Sequence, residues 1–85
     1  MNMQPMLNIA VRAARRAGDL IVRNLDRVPT SSTQAKGRND FVTDVDQAAE
    51  REIIALIRKS YPDHAILAEE SGASGAADSP VAWII

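Results

Sequence analysis

The chain has no cysteine and one histidine, His64, among its 85 residues. The first absence excludes disulfides, thiolate zinc sites and a cysteine nucleophile, and the second excludes a metal site built from several imidazoles. A cysteine-free sequence suits a reducing compartment, so a cytoplasmic location is expected. Aromatic residues are also scarce: Phe41, Tyr61 and Trp83 are the complete set, and none interleaves with the arginines in the manner of a nucleic-acid-reading surface. No window approaches the roughly 18 consecutive apolar residues of a membrane span, and no basic segment followed by an apolar block opens the chain. Neither membrane insertion nor secretion is therefore expected. The length lies below the usual ~100–150 residues of one domain, which excludes two independent cores.

What is present is meant to pack. Apolar residues make up 46% of the chain and charged residues 25%, close to globular averages and unlike disordered or collagen-like compositions. The net charge of −1 conceals a split. Residues 1–38 carry seven Lys/Arg against Asp19 and Asp26, and residues 39–85 carry three against nine acids. A basic half can attract phosphate or nucleic acid and an acidic half can hold a cation; equally, both can be solvated helix faces.

Apolar residues at Leu7, Val11, Ala14, Gly18, Ile21, Val22 and Leu25 recur every three or four positions and predict an amphipathic helix over about 3–27. Pro5 is tolerated in its first turn, where N–H groups lack partners anyway. Arg12, Arg15, Arg16, Asp19, Arg23 and Arg27 form the outer face, with Arg15/Asp19 and Asp19/Arg23 spaced for i,i+4 pairs. Ala10, Ala13, Ala14, Ala17 and Gly18 form a stripe of small residues. Gly18 lowers helix stability by about 1 kcal/mol relative to alanine, so close packing is expected there. Pro29 and the hydroxyl run Thr30–Thr33 end the helix. Residues 34–38 read as a short extended piece, and Asn39–Asp40 as a turn. A second helix is predicted over about 44–60, with Thr43 as its cap, Asp46 in the first turn, and Val45, Ala48, Ala49, Ile53, Leu56 and Ile57 on one face. Pro62 closes it. Short strands follow at about 64–68 and 81–85, separated by a turn-rich loop over 71–80.

Taken singly, the polar residues have ordinary explanations: Asp46 as a stabiliser of a helix start, Lys36 as a solvated loop lysine, Glu69 and Glu70 as exposed charges, His64 as a surface or half-buried ring. Their order suggests more. A lysine in an extended piece, a carboxylate opening a helix and a strand ending in two glutamates are the parts of a site at strand ends. Hard cations such as Mg²⁺ take carboxylate oxygens and retain water, using few protein ligands. Adjacent strand residues face opposite ways, so one glutamate of the pair serves such a site.

Lys36-Gly37, the run Asn39-Asp40-Phe41-Val42-Thr43-Asp44-Val45-Asp46, the helix to Arg58-Lys59-Ser60-Tyr61-Pro62, the segment Ala68-Glu69-Glu70-Ser71-Gly72 and Trp83-Ile84-Ile85 together resemble the inositol monophosphatase family. The resemblance extends over essentially the whole chain and is closest to a bacterial branch associated with ribosomal RNA transcription and antitermination. It implies the N-terminal part of a layered α/β sandwich: two long helices, then the first strands, with residues 1–85 an incomplete portion of a single domain. It implies Mg²⁺-dependent hydrolysis of inositol monophosphate or a related phosphomonoester. Glu69 matches a metal ligand near the substrate phosphate. Asp46 matches the aspartate that works with a downstream threonine on the attacking water, and Lys36 matches a lysine near the phosphate. Glu70 and Ser71 are candidates for support behind the ligand. The family follows its Trp-Ile-Ile with Asp-Pro-(Leu or Ile)-Asp-Gly-Thr, which carries further ligands. The sequence stops before that motif, so the 85 residues alone are expected to be inactive. The resemblance further implies a homodimeric parent and, for the regulatory alternative, protein partners in the transcription machinery.

Overall fold

The computed structural model of the chain describes residues 3–27 and 35–85, the side chains of Asp26 and of residues 35–39 excepted. Helix α1 spans Gln4–Asn24 and tightens into a 3₁₀ turn at Leu25–Arg27. Helix α2 spans Ala35–Ser60. Three short strands follow: β1 at Ala65–Ala68, β2 at Gly72–Ser74 and β3 at Ala82–Ile84. They form one sheet in the order β2-β1-β3. β1 pairs antiparallel with β2, Leu67 opposite Ala73, and parallel with β3, Ile66 opposite Trp83. Two helices followed by a small mixed sheet agree with the expected N-terminal α/β portion.

The first helix begins and ends close to its predicted limits, but it buries a different stripe. Met6, Ile9, Ala13 and Ala17 are buried, while Leu7, Val11, Val22 and Leu25 are exposed. The sequence carries apolar residues on two adjacent faces, and periodicity alone does not say which one meets α2. Ala13 and Ala17 bear out part of the small-residue stripe; Gly18 does not. A Cβ at Gly18 would touch nothing within 4 Å, so no close packing explains that glycine.

The second helix departs further from expectation. It starts at Ala35, not near residue 44, so residues 35–38 are helical rather than extended, and Asn39–Asp40 lie inside the helix rather than in a turn. Thr43 is not a cap, and Asp46 is not in a first turn. From residue 35 to 60 there is no proline and one glycine, Gly37, so nothing in the run forces a break. Phe41, Val42 and Val45 also find apolar neighbours: with Ile21, Asn24 and Leu25 they line a small cleft of about 100 Å³ at the end of α1. The expected end of the first helix at Pro29 and Thr30–Thr33 lies outside the described residues.

The core is a single cluster of Ile9, Ile54, Ile57, Ile66 and Ala68, with Ile53, Leu56, Tyr61, Trp83 and Ile85 packed against it. Ile57 and Ile66 are the largest fully enclosed side chains, each contributing about 2–3 kcal/mol of apolar burial. The opposite face of the sheet is open, with Leu67 52% and Ile84 82% exposed. The accessible surface of 6135 Å² exceeds the roughly 4,900 Å² expected of a compact monomer of 9.2 kDa.

β2 falls inside a segment predicted to be loop. Its ends are set by two glycines with positive φ, Gly72 at 77° and Gly75 at 81°. Gly75 is also held by space, because a Cβ there would lie 2.2 Å from the carbonyl oxygen of His64.

Candidate functional site

β1 and β2 join through the three residues Glu69, Glu70 and Ser71, since Ala68 already pairs with Gly72. Such a turn leaves backbone N–H groups with no strand partner. They are satisfied from α2. Glu50, 7% exposed, accepts the Glu70 N–H at 2.9 Å on Oε2 and the Ser71 N–H at 2.8 Å on Oε1. The Ser71 hydroxyl donates to the same Oε1 at 2.5 Å. The Ser71 hydroxyl is the chief influence holding the Glu50 carboxyl below its ordinary range; burial opposes it, and the two backbone N–H groups add to the lowering. An ionised carboxylate fits because three donors converge on it and it is acceptor-only.

Sequence reasoning missed Glu50. It singled out Glu69, Glu70 and Ser71, and the structure places these three together on that turn. Glu69 and Glu70 project as exposed side chains, and the Ser71 hydroxyl is taken by Glu50. Asp46 is exposed on α2, four residues before Glu50. A separation of four residues is about one helical turn, or roughly 6 Å of rise on nearly one face. Docking of the turn at Glu50 therefore brings the Glu69 segment to the stretch of α2 that carries Asp46. The backbone of Lys36 lies near the start of α2, and its side chain is outside the described residues.

Among the described residues no group of three or more His, Cys, Asp or Glu stands close enough to hold a metal ion. Glu69 is an exposed carboxylate on a hydrogen-bonded turn, and carboxylate oxygens are the donor type that hard cations take, so it fits such an ion in kind.

A second polar feature lies on the other side of the helix pair. Arg12, Arg15, Arg16 and Arg23 of α1, with Asp19 and with Glu52 and Leu56 of α2, line an open groove of about 840 Å³. Arg16 pairs with Glu52 at 3.6 Å, the one ion pair among the described residues. Arg23 donates from Nε to the backbone carbonyl of Asp19 at 3.3 Å, so the Asp19/Arg23 spacing yields a side-chain-to-backbone bond in place of an ion pair.

His64 is half-buried, one of the two ordinary placements open to it. Its ring stacks on Tyr61 at 4.5 Å between centroids, and Nδ1 accepts the Trp83 indole N–H at 3.0 Å. Two of the three aromatic residues thus enclose the single imidazole, which supports the N-terminal end of β1.

The helix pair, the mixed sheet and the acid-bearing turn are the N-terminal elements expected of one family, and residues 2–85 match its model, the inositol monophosphatase family. The chain belongs to that family. Over 83 residues it is 58% identical to the Nus factor SuhB of Haemophilus influenzae, 57% to that of Escherichia coli K12 and 52% to that of Vibrio cholerae. Each alignment covers 98% of this chain and 31% of the relative. The chain thus spans about a third of the length of the curated relatives it matches. No helix among the described residues is long and apolar enough to cross a membrane.

Proposed function

We propose that the chain is the N-terminal part of a Mg²⁺-dependent phosphomonoesterase acting on an inositol monophosphate or a related compound in the cytoplasm. The observation that carries this reading is the docking of the Glu69–Ser71 turn onto α2 one helical turn beyond Asp46, in a chain of the inositol monophosphatase family. Glu69 is the carboxylate offered to the ion, Asp46 is the group that orients or deprotonates the attacking water, and Lys36 contributes positive charge near the phosphate. Mg²⁺, when bound, supplies charge neutralisation at phosphoryl oxygens and a more acidic water. The chain's own part is to carry Glu69 on a turn that is hydrogen-bonded to α2 at Glu50, four residues along the helix from Asp46. The remaining ligands belong to the part of the family fold that follows Trp-Ile-Ile, so catalysis is assigned to the full-length protein, as a homodimer, and not to residues 1–85 alone. Phosphate release from an inositol monophosphate by the full-length protein, measured with and without Mg²⁺, tests this. Release that requires the metal and disappears in Glu69→Gln is expected, and absence of metal-dependent release overturns it.

A second reading has its own support in the names of the relatives, all Nus factors. On it, the full-length protein acts through surfaces, as a binding partner of transcription proteins in ribosomal RNA antitermination, and the arginine-lined face of α1 is the available contact. Pull-down of transcription factors by full-length protein carrying Asp46→Ala or Glu69→Ala separates the two. Binding retained without hydrolysis favours the regulatory role, and binding lost in a correctly folded variant counts against it.

A further inference from the structure

We propose that Glu50 is a positioning residue for Glu69: from α2 its carboxylate fixes the turn that carries the Glu69 side chain, and so sets how Glu69 meets a hard cation. The inference rests on the reading of Glu69 as a metal ligand, and goes beyond it by naming the group that holds the ligand in place.

Three observations carry it. Glu50 is the buried acidic side chain of the described core, 7% exposed, and among the described residues it forms no ion pair. A buried carboxylate is costly unless hydrogen bonds satisfy it. Here both oxygens are engaged, and among the described residues the donors all come from the two residues that follow Glu69: the Glu70 N–H, the Ser71 N–H and the Ser71 hydroxyl. The bonds also bridge distant parts of the chain, 20 and 21 residues apart. They tie a three-residue turn at the sheet edge to a long helix, which is what a ligand needs for a defined direction. Glu69 itself is exposed, and it immediately precedes the two residues bonded to Glu50.

Glutamine at this position shows why the carboxylate matters. Its carboxamide keeps one acceptor oxygen and replaces the other with an NH₂ donor, which would face a backbone N–H. One bond at least is lost and a donor–donor contact is created, with side-chain volume preserved.

The test uses the full-length protein with Glu50→Gln, Ser71→Ala and Glu69→Gln. Mg²⁺ binding is measured calorimetrically without substrate, and hydrogen exchange is followed at the Glu70 and Ser71 amides and, as a fold control, at Ile57 and Ile66. Wild type is expected to bind Mg²⁺ and Glu69→Gln to lose most of that binding. Glu50→Gln is expected to weaken Mg²⁺ binding by about tenfold or more, the usual effect of removing a group that orients a ligand, with faster exchange at Glu70 and Ser71 and unchanged exchange at Ile57 and Ile66. Ser71→Ala keeps the carboxylate and removes one donor of three; it should weaken binding in the same direction but less, and it decides the matter if Glu50→Gln does not fold. Faster exchange at the turn with wild-type Mg²⁺ affinity overturns the inference while leaving Glu69 a ligand, because Glu50 then only stabilises the hairpin. Equal binding by wild type and Glu69→Gln overturns both.

Discussion

Gly72 and Gly75 offer a controlled comparison of backbone conformation against space. Both lie in the left-handed region, at φ of 77° and 81°. A Cβ at Gly72 would have nothing within 4 Å, whereas one at Gly75 would sit 2.2 Å from the His64 carbonyl oxygen and 3.1 Å from Ala65 Cα. Alanine at either site incurs the left-handed penalty of about 1–2 kcal/mol, offset by about 0.4–1 kcal/mol from the reduced entropy of the unfolded chain. The net cost at Gly72 is therefore about 1 kcal/mol. At Gly75 the clash adds an overpacking term of about 1–3 kcal/mol. The obstructing atoms are backbone and cannot rotate away. Relief requires moving the start of β1, where the Ala65 N–H donates to the Val81 carbonyl at 3.0 Å and secures β3. Gly75→Ala should thus destabilise by about 2–4 kcal/mol in all. Urea unfolding of the two full-length variants, followed by circular dichroism, reads the difference directly. Equal losses at the two sites, or a larger loss at Gly72, would refute the assignment of Gly75 to steric exclusion.

Three further outcomes are expected. Gly18→Ala should stabilise the protein by about 0.5–1 kcal/mol, since the site is helical and an added methyl meets nothing; a loss measured by urea unfolding would show that something does pack there. Ile57→Ala empties a site that is 1% exposed at the centre of the core and should lose about 2–5 kcal/mol by the same measurement. Glu50 sets a pH dependence: its folded carboxyl sits below the ordinary value of 4.5, so its contribution is fully present above that value. As pH falls the unfolded chain takes up the proton first, and the contribution declines until the folded carboxyl is protonated too. Acid unfolding midpoints should therefore show a smaller drop below pH 4.5 in Glu50→Gln than in wild type; parallel curves would contradict it.

The elements with strong local signals were readable in advance. The first helix, the end of the second at Pro62 and the two apolar strands sit close to where periodicity and proline placed them. What failed was decided by contacts distant in sequence. Leu7, Val11 and Val22 compete with Met6, Ile9, Ala13 and Ala17 for the inward face, and only the position of α2 chooses between them. Thr43 and Asp46 satisfy the pattern of a helix start, yet the helix continues back to Ala35 through a run with no proline, and Phe41 and Val45 line a cleft with Ile21 and Leu25 of the first helix and its closing turn. β2 is three small residues, too short and too weakly apolar to announce itself, and it exists because two glycines bend the chain back onto β1.

The site divides along the same line. Glu69, Glu70, Ser71 and Asp46 could be picked out because their residue types and their order resemble a family pattern, but that pattern is silent about what holds them. Glu50 looks in the sequence like one more acid on a charged helix. It differs from Glu52, two residues on, only in which way it faces: Glu52 reaches the groove and pairs with Arg16, whereas Glu50 turns inward to three donors. That difference follows from the helical rotation of about 200° over two residues together with the docking of a hairpin 20 residues away. A buried acid is the kind of group for which sequence rules assign no role until its partners are seen. Its partners here are the two residues that follow Glu69, so one carboxylate on α2 ties down the turn between β1 and β2.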